Sequence, residues 1–170
     1  MKKIMTQEEL VKKYLPVLKV MIGLTAAIAV FIVLLCITQL QLIDTFSGET
    51  ADTMKENAVY TLRETATGLF GNIGYFTVAV TSIIMFVFTI KDGTPFTVRT
   101  STTLFVIAAE VMITAIASPF LGRALTTHMI GGSYPVANSS GDIFCASLLF
   151  VISTFFRYGT RLQQESDETL

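Results

Sequence analysis

VMIGLTAAIAVFIVLLCITQLQLI, residues 20–43, contains no charged side chain. A bilayer core is crossed by about 20 apolar residues in helical form, so this stretch predicts a membrane-spanning helix. Working outward, Thr65–Ile90 is a second uncharged run, and Arg99 to Arg123 encloses a third that only Glu110 interrupts. Ile143–Phe156 is shorter and reaches spanning length only between Asp142 and an extension through Arg157. By length alone it also fits a re-entrant or interfacial segment. The reading is an all-α, polytopic four-transmembrane-helix bundle forming a single domain. Its spans lie near 20–43, 66–90, 101–121 and 140–158, with a tail at 159–170.

Composition agrees. Of the 170 residues, 52% are apolar and 15% charged, and the mean hydropathy is +0.63. Soluble domains carry about 25% charge. A net charge of -1 offers no footprint for nucleic acid, so direct DNA or RNA binding is not expected. Lysines precede the first run, as in a secretory signal, but the run far exceeds an h-region of about 7–15 residues. Cys36 follows Leu35 rather than the small residue of a lipoprotein cleavage site. The expectation is a retained helix.

Loop charges set the orientation. Lys2, Lys3, Lys12, Lys13 and Lys19 precede span 1, Lys91 and Arg99 flank the second connection, and Arg157 and Arg161 follow span 4. The opposite side has only Lys55, Arg63 and Arg123. The positive-inside rule therefore places both termini and the second connection in the cytoplasm.

Outside lie an acidic segment, Asp44–Glu64, and a turn-rich one, Gly122–Gly141. In the first, Met54, Ala58 and Leu62 recur at a spacing of four, so an amphipathic outer helix is expected to lead into span 2. In the second, Gly131, Gly132, Pro135 and Asn138–Gly141 are loop formers. Before span 1, Thr6 and Glu9 suit a capping box, and Ile4, Val11, Leu15 and Leu18 fall on one side. They predict a short surface helix that Pro16 bends at the membrane.

Glu110 stands out, because an acid in mid-span is costly and is a functional candidate by default. Helical spacing puts Thr103, Thr114 and Ala117 on its face, and no other span holds a basic partner. It either hydrogen-bonds neighbouring helices together, or serves as a proton or cation site or as a switch sensitive to protonation. Gly68, Gly71 and Gly74 step along span 2 and predict close helix packing. Cys36 and Cys145 both fall toward the outer ends of their spans, as free thiols or as a bridge between helices 1 and 4. They form no metal motif, and His128 has no companions, so neither a metal nor a cofactor is expected. The chain lacks a nucleophile elbow, a phosphate-binding glycine loop, HExxH and CxxC, and the expectation is that it is not an enzyme.

Two cytoplasmic motifs remain. The second connection reads Lys91-Asp92-Gly93-Thr94-Pro95-Phe96, a G-x-P-F turn, and the chain ends FRYGTRLQQESDETL over residues 156–170. Together they resemble the DUF2975 family of short, four-helix bacterial membrane proteins of unknown function. In that family Arg161 stands where an acid is expected. The resemblance implies a bacterial cell membrane and, from the company such genes keep, a cytoplasmic helix-turn-helix regulator as partner. Continued as a helix, the tail would bring Phe155, Tyr158 and Leu162 into an apolar edge, followed by Glu165, Asp167 and Glu168. Such an end suits docking to a basic surface. It equally suits an ordinary solvated helix end. The leading expectation is a sensing or regulatory membrane protein. The rival is an oligomeric, proton-coupled or small-molecule transport component built on Glu110.

Cysteine labelling in intact cells tests the orientation. Probes near Lys55 and His128 should react from outside, and probes near Gly93 and Glu168 only after permeabilisation. Outside labelling at Glu168 would remove the fourth span.

Overall fold

Within lipid a backbone finds no water, so a long apolar run satisfies its polar groups only by closing them into a helix. The computed structural model describes residues 7–46, 56–94, 96–136 and 140–168. It has four helices, α1 (Gln7–Asp44), α2 (Glu56–Asp92), α3 (Val98–Ile130) and α4 (Ser140–Glu168). Each contains a stretch long and apolar enough to cross a membrane, and no strand occurs among the described residues. The fold is an all-α, multi-pass membrane bundle.

Side-chain hydroxyls follow the same rule as the backbone. Thr25 donates to the Met21 carbonyl at 2.8 Å, Ser82 to Val78 at 2.8 Å, Thr102 to Val98 at 2.8 Å and Ser147 to Ile143 at 2.9 Å. Each hydroxyl is thereby satisfied within its own helix. Two glycines stop helices by adopting positive φ. Gly93 (φ 72) follows α2 and donates its N–H to Thr89, while Gly131 (φ 76) caps α3 by donating to Thr127. Thr97 opens α3, its hydroxyl accepting the Thr100 N–H at 3.1 Å.

The helices pack in chain order, α1 on α2, α2 on α3 and α3 on α4. Among the described residues no other pair of helices comes close along its backbones. The bundle is therefore open, a row rather than a closed square. At one end Ile43 of α1, Leu62, Ala66 and Leu69 of α2, and Ile130 of α3 form a buried cluster. Cys36, Leu125, Met129 and Tyr134 pack around it.

Two expected boundaries shift. The N-terminal surface helix is not a separate element, because α1 runs through Pro16 as one helix. Proline forfeits a single internal bond there, and helices in membranes tolerate that loss. Thr6 and Ile4 lie outside the described residues. The amphipathic segment expected before span 2 is helical from Glu56, with Leu62 fully buried, and Met54 lies outside the described residues. The connection from α3 to α4 is much shorter than the expected Gly122–Gly141, since α3 continues to Ile130. The apolar side chains of Leu125, Met129 and Ile130 bury in the cluster and hold that extra length helical.

Gly122 is consequently a packing residue and not a turn. A Cβ built there would sit 2.7 Å from the Cα and N of Thr67, and backbone atoms cannot swing aside. Gly122→Ala should therefore destabilise the protein by about 1–3 kcal/mol, the usual cost of overpacking. Gly23→Ala, with nothing within 4 Å of the added carbon, should be nearly neutral or slightly stabilising. Denaturant titration of both variants in one detergent checks the contrast.

Candidate functional sites

The α2–α3 seam is built from small and polar residues. Along α3, Glu110, Thr114, Ser118 and Gly122 follow one another at steps of four and so share one face. Against them, in antiparallel order, lie Thr81, Gly74, Gly71 and Thr67 of α2. A Cβ on Gly74 would collide with Thr114, and one on Gly71 would just touch Ser118. Gly68 points differently, toward the Gln39 side chain of α1. The three glycines expected to pack helices thus serve two interfaces.

At the far end of this seam the Thr81 hydroxyl donates to Glu110 Oε1 at 2.9 Å. Glu110 Oε2 is buried and has no hydrogen-bond partner. Thr103 does not join the site, because its hydroxyl donates instead to the Arg99 carbonyl at 2.9 Å. Thr114 is buried on the same α3 face but packs against Gly74. Spacing within span 3 gave no view of Thr81, which belongs to another helix. A second polar contact was also missed. Asn72 donates its side-chain N–H to Gln39 Oε1 at 2.9 Å, tying α2 to α1 inside the membrane. Its signal was an amide in each of two uncharged runs.

The two thiols stay apart. Cys36 is half-buried beside the cluster, Cys145 is exposed, and both are free. Because α1 and α4 do not pack together, the alternative of a bridge between them has no support. Asp142 stands instead in the first turn of α4, close to Tyr75 of α2. No group of three or more His, Cys, Asp or Glu gathers to hold a metal among the described residues.

At the opposite end of the bundle the G-x-P-F turn and the FRYG tail meet. The rings of Phe96 and Phe156 stack with centroids 5.4 Å apart. A Cβ on Gly159 would lie 3.0 Å from the Phe96 ring, so glycine there gives the turn room to close on α4. Arg99 reaches Asp92 at 3.9 Å and lies over the Phe88 ring at 4.7 Å, fastening the turn on its other side. Pro95 lies outside the described residues. Beyond this contact α4 continues to Glu168, with Phe155, Tyr158 and Leu162 exposed on one edge. Glu165 is exposed in the last turns. Asp167 and Glu168 are helical, but their side chains lie outside what the structure describes.

No family model, no curated protein and no solved structure matches the chain.

The Thr81–Glu110 contact can be measured by a double-mutant cycle. Thr81→Val and Glu110→Gln, singly and together, should give a coupling of about 0.6 kcal/mol and no more than about 2 kcal/mol, the range for hydrogen bonds between membrane helices. Glu110→Gln should fold, since an amide oxygen can still accept from Thr81. Additive effects in SDS titration would mean that the bond contributes nothing to stability.

Proposed function

We propose that this protein is a non-enzymatic, sensing or regulatory component of a bacterial cell membrane. Its C-terminal helix holds a cytoplasmic transcription regulator of the helix-turn-helix kind. The observation that carries the reading is the course of α4, which runs unbroken from its apolar stretch to Glu168. Tyr158 and Leu162 follow Arg157 at the end of the expected span and leave apolar surface exposed. Glu165, Asp167 and Glu168 follow and give that end a negative charge. Acids of this kind steer a basic partner and add selectivity more than affinity. The resemblance of the G-x-P-F turn and the FRYG tail to the DUF2975 family supports the same partner. The contact of Phe96 with Phe156 and Gly159 holds the two motifs together as one cytoplasmic surface.

A second reading rests on the unpartnered Glu110 Oε2. It makes the protein a proton-coupled or small-molecule transport component, acting as an oligomer, with Glu110 as the coupling acid. Four spans with one such acid are a slender basis for a carrier, so this reading ranks second.

Truncation after Arg157 separates the two. The spans should insert and fold, while control of a neighbouring helix-turn-helix regulator's target genes is lost. Glu165→Lys, Asp167→Lys and Glu168→Lys together should do nearly the same without removing the Phe96 contact. These changes keep the cytoplasmic side positive, so orientation survives. The wild-type association should weaken as salt rises. Full regulation by the truncated chain would refute docking and bring Glu110 forward.

A further inference from the structure

Between α1 and α2 lies an open groove of about 330 Å³, within the size range of small-molecule sites. Thr25, Ile28 and Ile32 of α1 form one wall, and Asn72, Ala79 and Ser82 of α2 form the other. Each set recurs at helical intervals and so occupies one face of its helix. From Asn72 to Ser82 the groove runs about 15 Å, the helical rise between those two residues.

Its two ends differ. At one, Asn72 donates to Gln39 Oε1 at 2.9 Å, and a Cβ on Gly68 would meet the Gln39 side chain, so α1 and α2 close on each other there. Along α1 away from that contact, exposure rises from 8% at Ile32 to 48% at Ile28. The groove is therefore blind at an amide and open toward hydrocarbon.

The polar groups decide what it can hold. Thr25 and Ser82 donate their hydroxyls to the Met21 and Val78 carbonyls, so both are satisfied within their own helices. Asn72 is not. Gln39 takes one amide N–H, while the second N–H and Oδ1 have no partner among the described residues. A bulk acyl chain offers neither donor nor acceptor and would leave both unsatisfied. That separates the groove from the apolar faces that lipid alone covers. No charged side chain lines it, and Asn72 lies well inside the uncharged run Thr65–Ile90. A phosphate at that position would have no cation to pair with. Tyr75 lines the groove as well, and Asp142 beside it belongs to α4 and not to the lining.

We propose that the groove binds a neutral, single-chain amphiphile dissolved in the membrane, a long-chain alcohol or monoacyl ester. Its hydroxyl or carbonyl oxygen takes the free Asn72 amide N–H, and its chain leaves past Ile28, between Thr25 and Ser82. The site lies on α1 and α2, apart from the tail, and stands or falls independently of the docking reading.

The chain has no tryptophan, so Ile28→Trp places a single emitter at the open end of the groove. Ile113→Trp, at a position 65% exposed on α3, is the lipid-facing control. Quenching is read on the full-length chain in phosphatidylcholine nanodiscs, with ω-bromoundecanol and bromoundecane as probes. In the Ile28→Trp chain the alcohol should quench saturably, at a membrane concentration several-fold below that needed of the bromoalkane. In the Ile113→Trp chain neither probe should saturate. Adding Asn72→Leu to Ile28→Trp should remove the alcohol's advantage, and an ω-bromoundecyl trimethylammonium probe should lack it. Equal quenching by alcohol and bromoalkane in the Ile28→Trp chain would overturn the proposal, whether or not the Asn72→Leu variant folds. So would an advantage that survives Asn72→Leu or that the ammonium probe matches.

Discussion

At Gly122 the backbone of α3 lies against that of Thr67 in α2 with no space for a methyl group, and that closeness governs the seam beside it. Apolar side chains cannot hold helices together in lipid by leaving water, since the solvent is as apolar as they are. Close van der Waals approach and hydrogen bonds must do it. Small residues at Gly71, Gly74, Ser118 and Gly122 bring α2 and α3 near enough for Thr81 to reach Glu110. The acid lies at one end of a small-residue seam, and its polar contact belongs to that seam before it belongs to any pathway. The buried, unpartnered Oε2 is what the seam leaves unaccounted for.

Much of this architecture is legible in the sequence because lipid permits few alternatives. An uncharged run such as residues 20–43 has to be helical, and the four helices appear where the apolar runs predict them. Helix ends are less legible. Gly122 reads as a turn former by residue type, yet its purpose is proximity, and nothing within span 3 distinguishes the two. The partner of Glu110 was hidden for a related reason. Spacing within one helix reports which residues share a face, but not which residue of another helix stands opposite. Asn72 and Gln39 were the more readable pair, two amides that lipid obliges to find partners.

The end formed by the turn and the tail shows the same division. The G-x-P-F turn and the FRYG tail are each recognisable alone, and Gly93 ends α2 with the positive φ that glycine allows. That the two motifs are halves of one contact is visible only in three dimensions. There Phe96 packs on Phe156 and leaves little room for a side chain at position 159. Glycine in a helix is otherwise a cost of about 1 kcal/mol, which the Phe96 contact explains here.

The row-like order of the helices bears on how the protein is made. Among the described residues each helix approaches closely along its backbone only its neighbours in the sequence, so these contacts lie within helical hairpins and contact order is low. α1 and α2 can pair as soon as both are inserted, α3 can add to that hairpin, and α4 completes the row without any earlier element rearranging. A newly made chain therefore carries no helix that must wait for a distant one to cover it.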